Sequence, residues 1–128
     1  MNRIISVLLI FVGIMNLYPA IGVLSADTLA GLYSVTILDT DLQILMRHRA
    51  ILLGILGSFI IASVFRPHLQ ESAIIVGLIS MVTFIGLVLG TGNYGESIMK
   101  VMLADVIGSL ALIVVLFLKW KITHANNN

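Results

Sequence analysis

The chain has 128 residues, of which 59% are hydrophobic and only 10% charged, with a net charge of +1 and a mean hydropathy of +1.13. A soluble domain carries about 25% charged residues and could not hide so much apolar surface at this size, so lipid is the solvent that this composition suits. The near-zero net charge implies neither nucleic acid nor an acidic partner, and the absence of cysteine excludes disulfides, thiolate metal sites and thiol redox chemistry carried by this chain alone.

Four apolar runs follow one another, each long enough for the roughly 17–25 residues that cross a bilayer as a helix. The first covers residues 4–24 behind Arg3. Its apolar core exceeds the roughly 7–15 residues of a cleaved leader, so it reads as a span. Gly13, Asn16 and Ala20 make a small, polar-tinted stripe along it. The connection 25–39 is the longest in the chain. Asp27 there caps a short extra helix over 28–33, and Asp39 or Thr40 caps the next span, with Thr40 and Gln43 at capping-box spacing.

The second run, 40–65, carries Arg47, His48 and Arg49. Ala50, Gly54, Ser58 and Ala62 recur every four residues as a ridge that lets backbones approach in lipid. Arg47 falls near the middle of that face at about 100° per residue, Arg49 nearly opposite and His48 to the side. A span starting at Ala50 would be only about 24 Å long, whereas one starting at Leu42 reaches about 36 Å and places Arg47 about 7.5 Å below the outer edge. Pro67 pushes Arg66 out of helical geometry and ends this helix.

The third run, 72–90, has Ala73, Gly77 and Ser80 on one face, and Thr91 to Gly95 form a turn. The fourth, 101–118, is led in by Glu96 and Lys100 at the favourable i,i+4 polarity. Asp105 lies about 7.5 Å below Lys100, level with Arg47, and Gly108 and Ser109 share its face. The tail beyond Trp120 reads as polar and loose. The expected fold is therefore all-α: a single polytopic domain over 1–128, a four-transmembrane-helix bundle with one short extra helix in the first connection. Its spans are expected at about 4–24, 40–65, 71–90 and 97–118.

An ionised side chain inside a span costs about 2.5–3.5 kcal/mol, so it usually has a partner. Asp105 is expected to pair with Arg47, with Asn16 and His48 alongside, as a polar cluster near the outer end of the bundle. Gly54, Ser58 and Gly108 are the expected helix-packing positions. The pair reads either as an interhelical ion pair that holds register or as a substrate or proton site. His48 and His68 lie roughly 30 Å apart along one helix and cannot share a haem within the chain. Asp39 and Asp41 suit capping and the helix dipole better than a metal, and no metal site is expected. The segment Gly90 to Gly95 lacks the preceding strand and the lysine of a phosphate loop. No nucleophile–base set or metal-protease pattern is present, which argues against a self-sufficient enzyme. With both termini in the cytoplasm, the inner side holds Arg3, Arg66, Lys119 and Lys121, and the outer side holds Arg47, Arg49 and Lys100.

Residues 38–54, LDTDLQILMRHRAILLG, together with GLYSV at 31–35, resemble a group of small bacterial four-helix membrane proteins of DoxX-like layout. There an acidic stretch precedes an arginine-bearing second helix with glycines behind it. The likeness covers most of the chain in layout and about twenty residues in motif. It marks Arg47, Asp39 and Asp41. Some such relatives are labelled phosphopantetheine adenylyltransferase, but this chain has no histidine–x–glycine–histidine motif and no Rossmann-like pattern. DoxX itself resembles a membrane subunit of a quinone-linked oxidoreductase. The expectation is a multi-pass protein of the bacterial inner membrane, a non-catalytic accessory or scaffold subunit of a larger complex or self-assembly, with a lipid or quinone pocket and no other cofactor. The alternatives are a small-molecule or proton carrier using the Asp105 and Arg47 cluster, and a lipid- or quinone-dependent enzyme using the same residues.

Overall fold

A computed structural model describes residues 3–23 and 40–128. The expected short helix at 28–33, with Asp27 and Asp39, lies outside the described residues. Among the described residues four helical stretches, Arg3–Ala20, Thr40–Phe65, Pro67–Thr91 and Glu96–Asn126, are long and apolar enough to cross a membrane. Their α-helical parts are α1 (Arg3–Leu17), α2 (Thr40–Phe65), α3 (Gln70–Thr91) and α4 (Glu96–Asn126). The fold is an all-α, four-helix membrane bundle.

The helix ends follow local chemistry. The α-helical ladder of α1 stops at Leu17, and a 3-10 stretch, Tyr18–Val23, carries the chain onward. Pro19 explains the change, because its ring has no N–H to give and crowds the carbonyl one turn back. Phe65 ends α2, and Arg66 is extended at φ −134° and ψ 84° in front of Pro67. Gly92 closes α3 in the left-handed conformation at φ 74°, and its N–H donates to the Val88 carbonyl at 3.2 Å.

The tail is not loose, as the sequence had suggested: α4 runs on to Asn126. No proline or glycine follows Trp120 to break it. Thr123 Oγ1 donates to the Lys119 carbonyl at 3.0 Å, and the Trp120 and His124 rings lie 4.6 Å apart one turn on. Polarity ends the membrane span there without ending the helix.

Each helix packs against its two neighbours in a ring, most closely α1 on α2 and α3 on α4, while the diagonal helices keep their backbones apart. Large apolar side chains such as Val7, Ile55, Ile79 and Leu110 point outward. An outside so apolar is what lipid solvation demands. With little hydrophobic drive between helices in lipid, close backbone approach does the work. The α1–α2 crossing is built on Gly13 and Gly57. A Cβ on Gly57 would fall 2.5 Å from the Gly13 carbonyl oxygen and 2.9 Å from the Leu17 nitrogen. Gly54 packs on Ala20, Gly77 beneath Leu112 and Gly108 against Met81.

The half of the bundle at the end that holds both described termini is a buried apolar plug. Leu9, Ile60, Ile74, Leu112 and Val115 have no exposure at all. Ser63 is buried there, but its hydroxyl donates to the Ile60 carbonyl of its own helix at 2.6 Å. At the rim of that end Lys119 Nζ donates to Gln70 Oε1 at 2.8 Å, fastening α4 to the start of α3.

Candidate functional site

The charged residue that α2 turns inward is Arg49, not Arg47. Arg47 and His48 are exposed, and Arg49 is half-buried. The expectation failed because a four-residue spacing is not a straight line on a helix. At about 100° per residue it advances about 40° at each step, so a ridge from Ala50 to Ala62 winds around the helix. Ala50 is buried and Gly54 half-buried, but Ser58 and Ala62 are exposed, and Ser58 is not a packing position. The face that packs is Ala50, Leu56, Gly57, Ile60, Ser63 and Val64. Arg49 lies about 30° from the middle of that face, and Arg47 about 130° away.

Depth accounts for Arg47 and His48. Counted up from Arg66, a hydrocarbon core of about 30 Å ends close to Arg47. These two side chains therefore stand at headgroup level, at the end of the bundle away from both described termini, where a long cation reaches water. Arg49 lies just below that boundary and faces the interior.

Asp105 is half-buried on the inward face of α4, with buried Gly108 and Ser109 beside it. Arg49 carries the opposite charge on the inward side of α2. The two come from diagonal helices, and each lies about 13 Å along its helix from the end away from both described termini. They are not in ion-pair contact, and no described residue gives the Asp105 carboxylate an ion pair or a hydrogen bond. Arg49 sits over the Phe84 ring of α3, 5.2 Å from its centroid. Asn16 of α1 is only 6% exposed, and its Nδ2 donates to the Val12 carbonyl at 2.9 Å. Asn16 lies deeper than Arg49, because Gly57, eight residues or about 12 Å below Arg49, is what meets α1 between Gly13 and Leu17.

One turn below Asp105, Ser109 is 7% exposed, and its Oγ has no hydrogen-bond partner. Buried hydroxyls are nearly always paired, so this one stands out. Arg49, Phe84 and the unpaired Ser109 hydroxyl escaped the sequence reading. The first was legible from the phase of Leu56, Ile60 and Val64. The other two were not, because an aromatic and a serine on an inward face look like ordinary packing. Asp41 is exposed in the first turn of α2, and Asp39 lies outside the described residues. Among the described residues no group of three or more histidine, aspartate or glutamate side chains could hold a metal ion.

The half of the bundle away from the described termini therefore carries one inward-turned charge of each sign and an unpaired hydroxyl, next to a buried apolar plug. No protein-family model matches the chain, and no curated protein or solved structure matches it either, so the functional reading rests on this geometry.

Proposed function

We propose that this chain is a non-catalytic membrane subunit that holds the polar headgroup of an amphiphile, a lipid or a quinone, in the outer half of its bundle. The observation that carries the proposal is Asp105, half-buried on the inward face of α4 with no hydrogen bond or ion pair among the described residues, above a core of fully buried apolar side chains. A half-buried carboxylate with no partner among the described residues is costly in a membrane, and a bound headgroup would offset that cost. The buried apolar plug weighs against the carrier, which needs access from both sides in turn. The enzyme reading lacks a nucleophile–base set in the sequence.

Membership in the DoxX-like group is part of the proposal. It is supported by the four-span layout with acidic residues ahead of an arginine-bearing second helix. So is a bacterial cytoplasmic membrane location with both termini inside. Arg3, Arg66, Lys119 and Lys121 gather at one end of the bundle. With Arg49 turned into the interior, only Arg47 and Lys100 oppose them at the other, a clearer bias than the sequence count of four against three. The chain has no cysteine, so Asn93→Cys and Asn127→Cys each give a single thiol. An impermeant maleimide on intact spheroplasts should label the first and spare the second.

The functional test is native mass spectrometry of protein purified gently from its own membranes. A co-purifying larger subunit or a retained amphiphile is the expected result. A chain that flies alone and empty would overturn the proposal.

A further inference from the structure

The helix α4 has 31 residues and is about 46 Å long, well beyond the roughly 30 Å of a hydrocarbon core. Its apolar run ends at Leu118, and the helix continues through Lys119 to Asn126. Phe117, Trp120, Lys121 and His124 fall within about 100° of one another around that helix, and all four are exposed. Their rings make a continuous strip. The Trp120 ring is stacked 6.2 Å from Phe117, at an interplanar angle of 29°, and lies 4.6 Å from His124. Lys121 stands about 4.5 Å beyond Leu118, inside a headgroup layer of roughly 5–8 Å. Among the described residues neither the Lys121 ammonium nor the Trp120 indole N–H has a hydrogen-bond or ion-pair partner.

Charge selects what this strip meets. Arg3, Arg66, Lys119 and Lys121 share their end of the bundle with one carboxylate side chain among the described residues, Glu71, a balance of four minus one, or +3. Lys119 is held by the neutral amide of Gln70, which leaves its charge uncompensated. At the opposite end Arg47, Arg49 and Lys100 are matched by Asp41, Glu96 and Asp105, three minus three. We propose that this face of α4 is a docking surface for an anionic phospholipid, with its phosphate at the Lys121 ammonium, its glycerol esters beside the Trp120 indole and its chains along Phe117. A cation, an amphipathic ring and an apolar ring then follow one another down the helix in the order in which a phospholipid presents phosphate, ester and chain. The negative end of the helix dipole is confined to the last turn, which begins at Thr123, beyond Lys121. The surface is separate from the inward-facing Asp105, so its failure would leave the proposed function standing.

Trp120 is the only tryptophan in the chain, so bromine quenching of its fluorescence reports the lipid beside it. The full chain is reconstituted in equal mixtures of dioleoylphosphatidylglycerol and dioleoylphosphatidylcholine, with bromines on the chains first of one lipid and then of the other. Phosphatidylglycerol is expected to be preferred at Trp120 by fivefold or more, since one basic side chain at an anionic surface is worth roughly fivefold. Lys121→Gln should lower the preference by about that factor. Lys121→Arg should keep it, and Lys100→Gln, at the opposite end, should leave it unchanged. Circular dichroism confirms that the variants are folded, and Lys121→Arg separates loss of charge from loss of the lysine itself.

Equal quenching by the two brominated lipids overturns the proposal. So does a preference that survives Lys121→Gln, which would belong to the field of the whole bundle end. Weak quenching by both lipids would mean that a second copy or another protein covers the face, and it too overturns the proposal.

Discussion

Replacing Gly57 by alanine isolates the contact on which the α1–α2 pairing depends. The new Cβ would lie 2.5 Å from the Gly13 carbonyl oxygen and 2.9 Å from the Leu17 nitrogen. Carbon and oxygen rest comfortably at about 3.3 Å or more, so α1 must retreat by most of an ångström. The obstructing atoms are backbone and cannot rotate aside. Overpacking of this kind costs about 1–3 kcal/mol, partly offset by up to about 1 kcal/mol of helix propensity gained on leaving glycine. Gly86 supplies the control. It lies in α3 with nothing within 4 Å of its own added Cβ, so Gly86→Ala keeps the propensity gain and meets no clash. The two variants should therefore differ by about 2 kcal/mol, Gly57→Ala below the parent and Gly86→Ala at or above it. Unfolding by added dodecyl sulfate in dodecylmaltoside micelles, followed by far-ultraviolet circular dichroism, measures the difference. If the two variants unfold together, the glycine crossing does not hold α1 to α2 and the packing described here is wrong.

Four further outcomes follow from the same geometry. Arg49→Gln should destabilise the bundle by about 1–2 kcal/mol in the same unfolding assay, while Arg47→Gln stays within about 0.5 kcal/mol; the reverse order would restore the orientation of α2 expected from its four-residue ridge. Lys119→Met removes the donor that reaches Gln70, which is only 2% exposed, and should cost about 1–3 kcal/mol. Gly92→Ala forces a side chain into the left-handed region at φ 74° and should cost about 1–2 kcal/mol, whereas Gly95→Ala, at φ −80° with open space around it, should be close to neutral. Trp120 is exposed at the inner end of α4, so its fluorescence should be quenched more by lipids brominated near the headgroup than by lipids brominated at mid-chain; deeper quenching would mean that α4 is set too high in the bilayer.

The solvent, the helix count and most of the helix ends were legible in the sequence, because they depend on local properties. Run lengths set the spans, Pro67 ended α2, and Gly92 lay within a segment read as a turn. Small residues located the inward faces of α1, α3 and α4, where Gly13 and Asn16, Ala73 and Gly77, and Gly108 and Ser109 are all buried. Where local chemistry misled, the cause is equally specific. Pro19 shortened the α-helical part of α1, and the polar tail stayed helical because polarity breaks a membrane span and not a hydrogen-bond ladder.

The tertiary structure decided which residues meet. The periodicity of α2 is compatible with more than one inward face, since small residues and large apolar ones both belong inside a membrane bundle. Only the seating of Gly57 against Gly13 chooses between them, and it swings Arg49 inward and Arg47 out to the headgroups. The opposition of Arg49 and Asp105 depends on the ring order of four helices, which places α2 and α4 on a diagonal. The orphaned hydroxyl of Ser109 is likewise decided by the packed bundle, which buries it without giving it a hydrogen-bond partner.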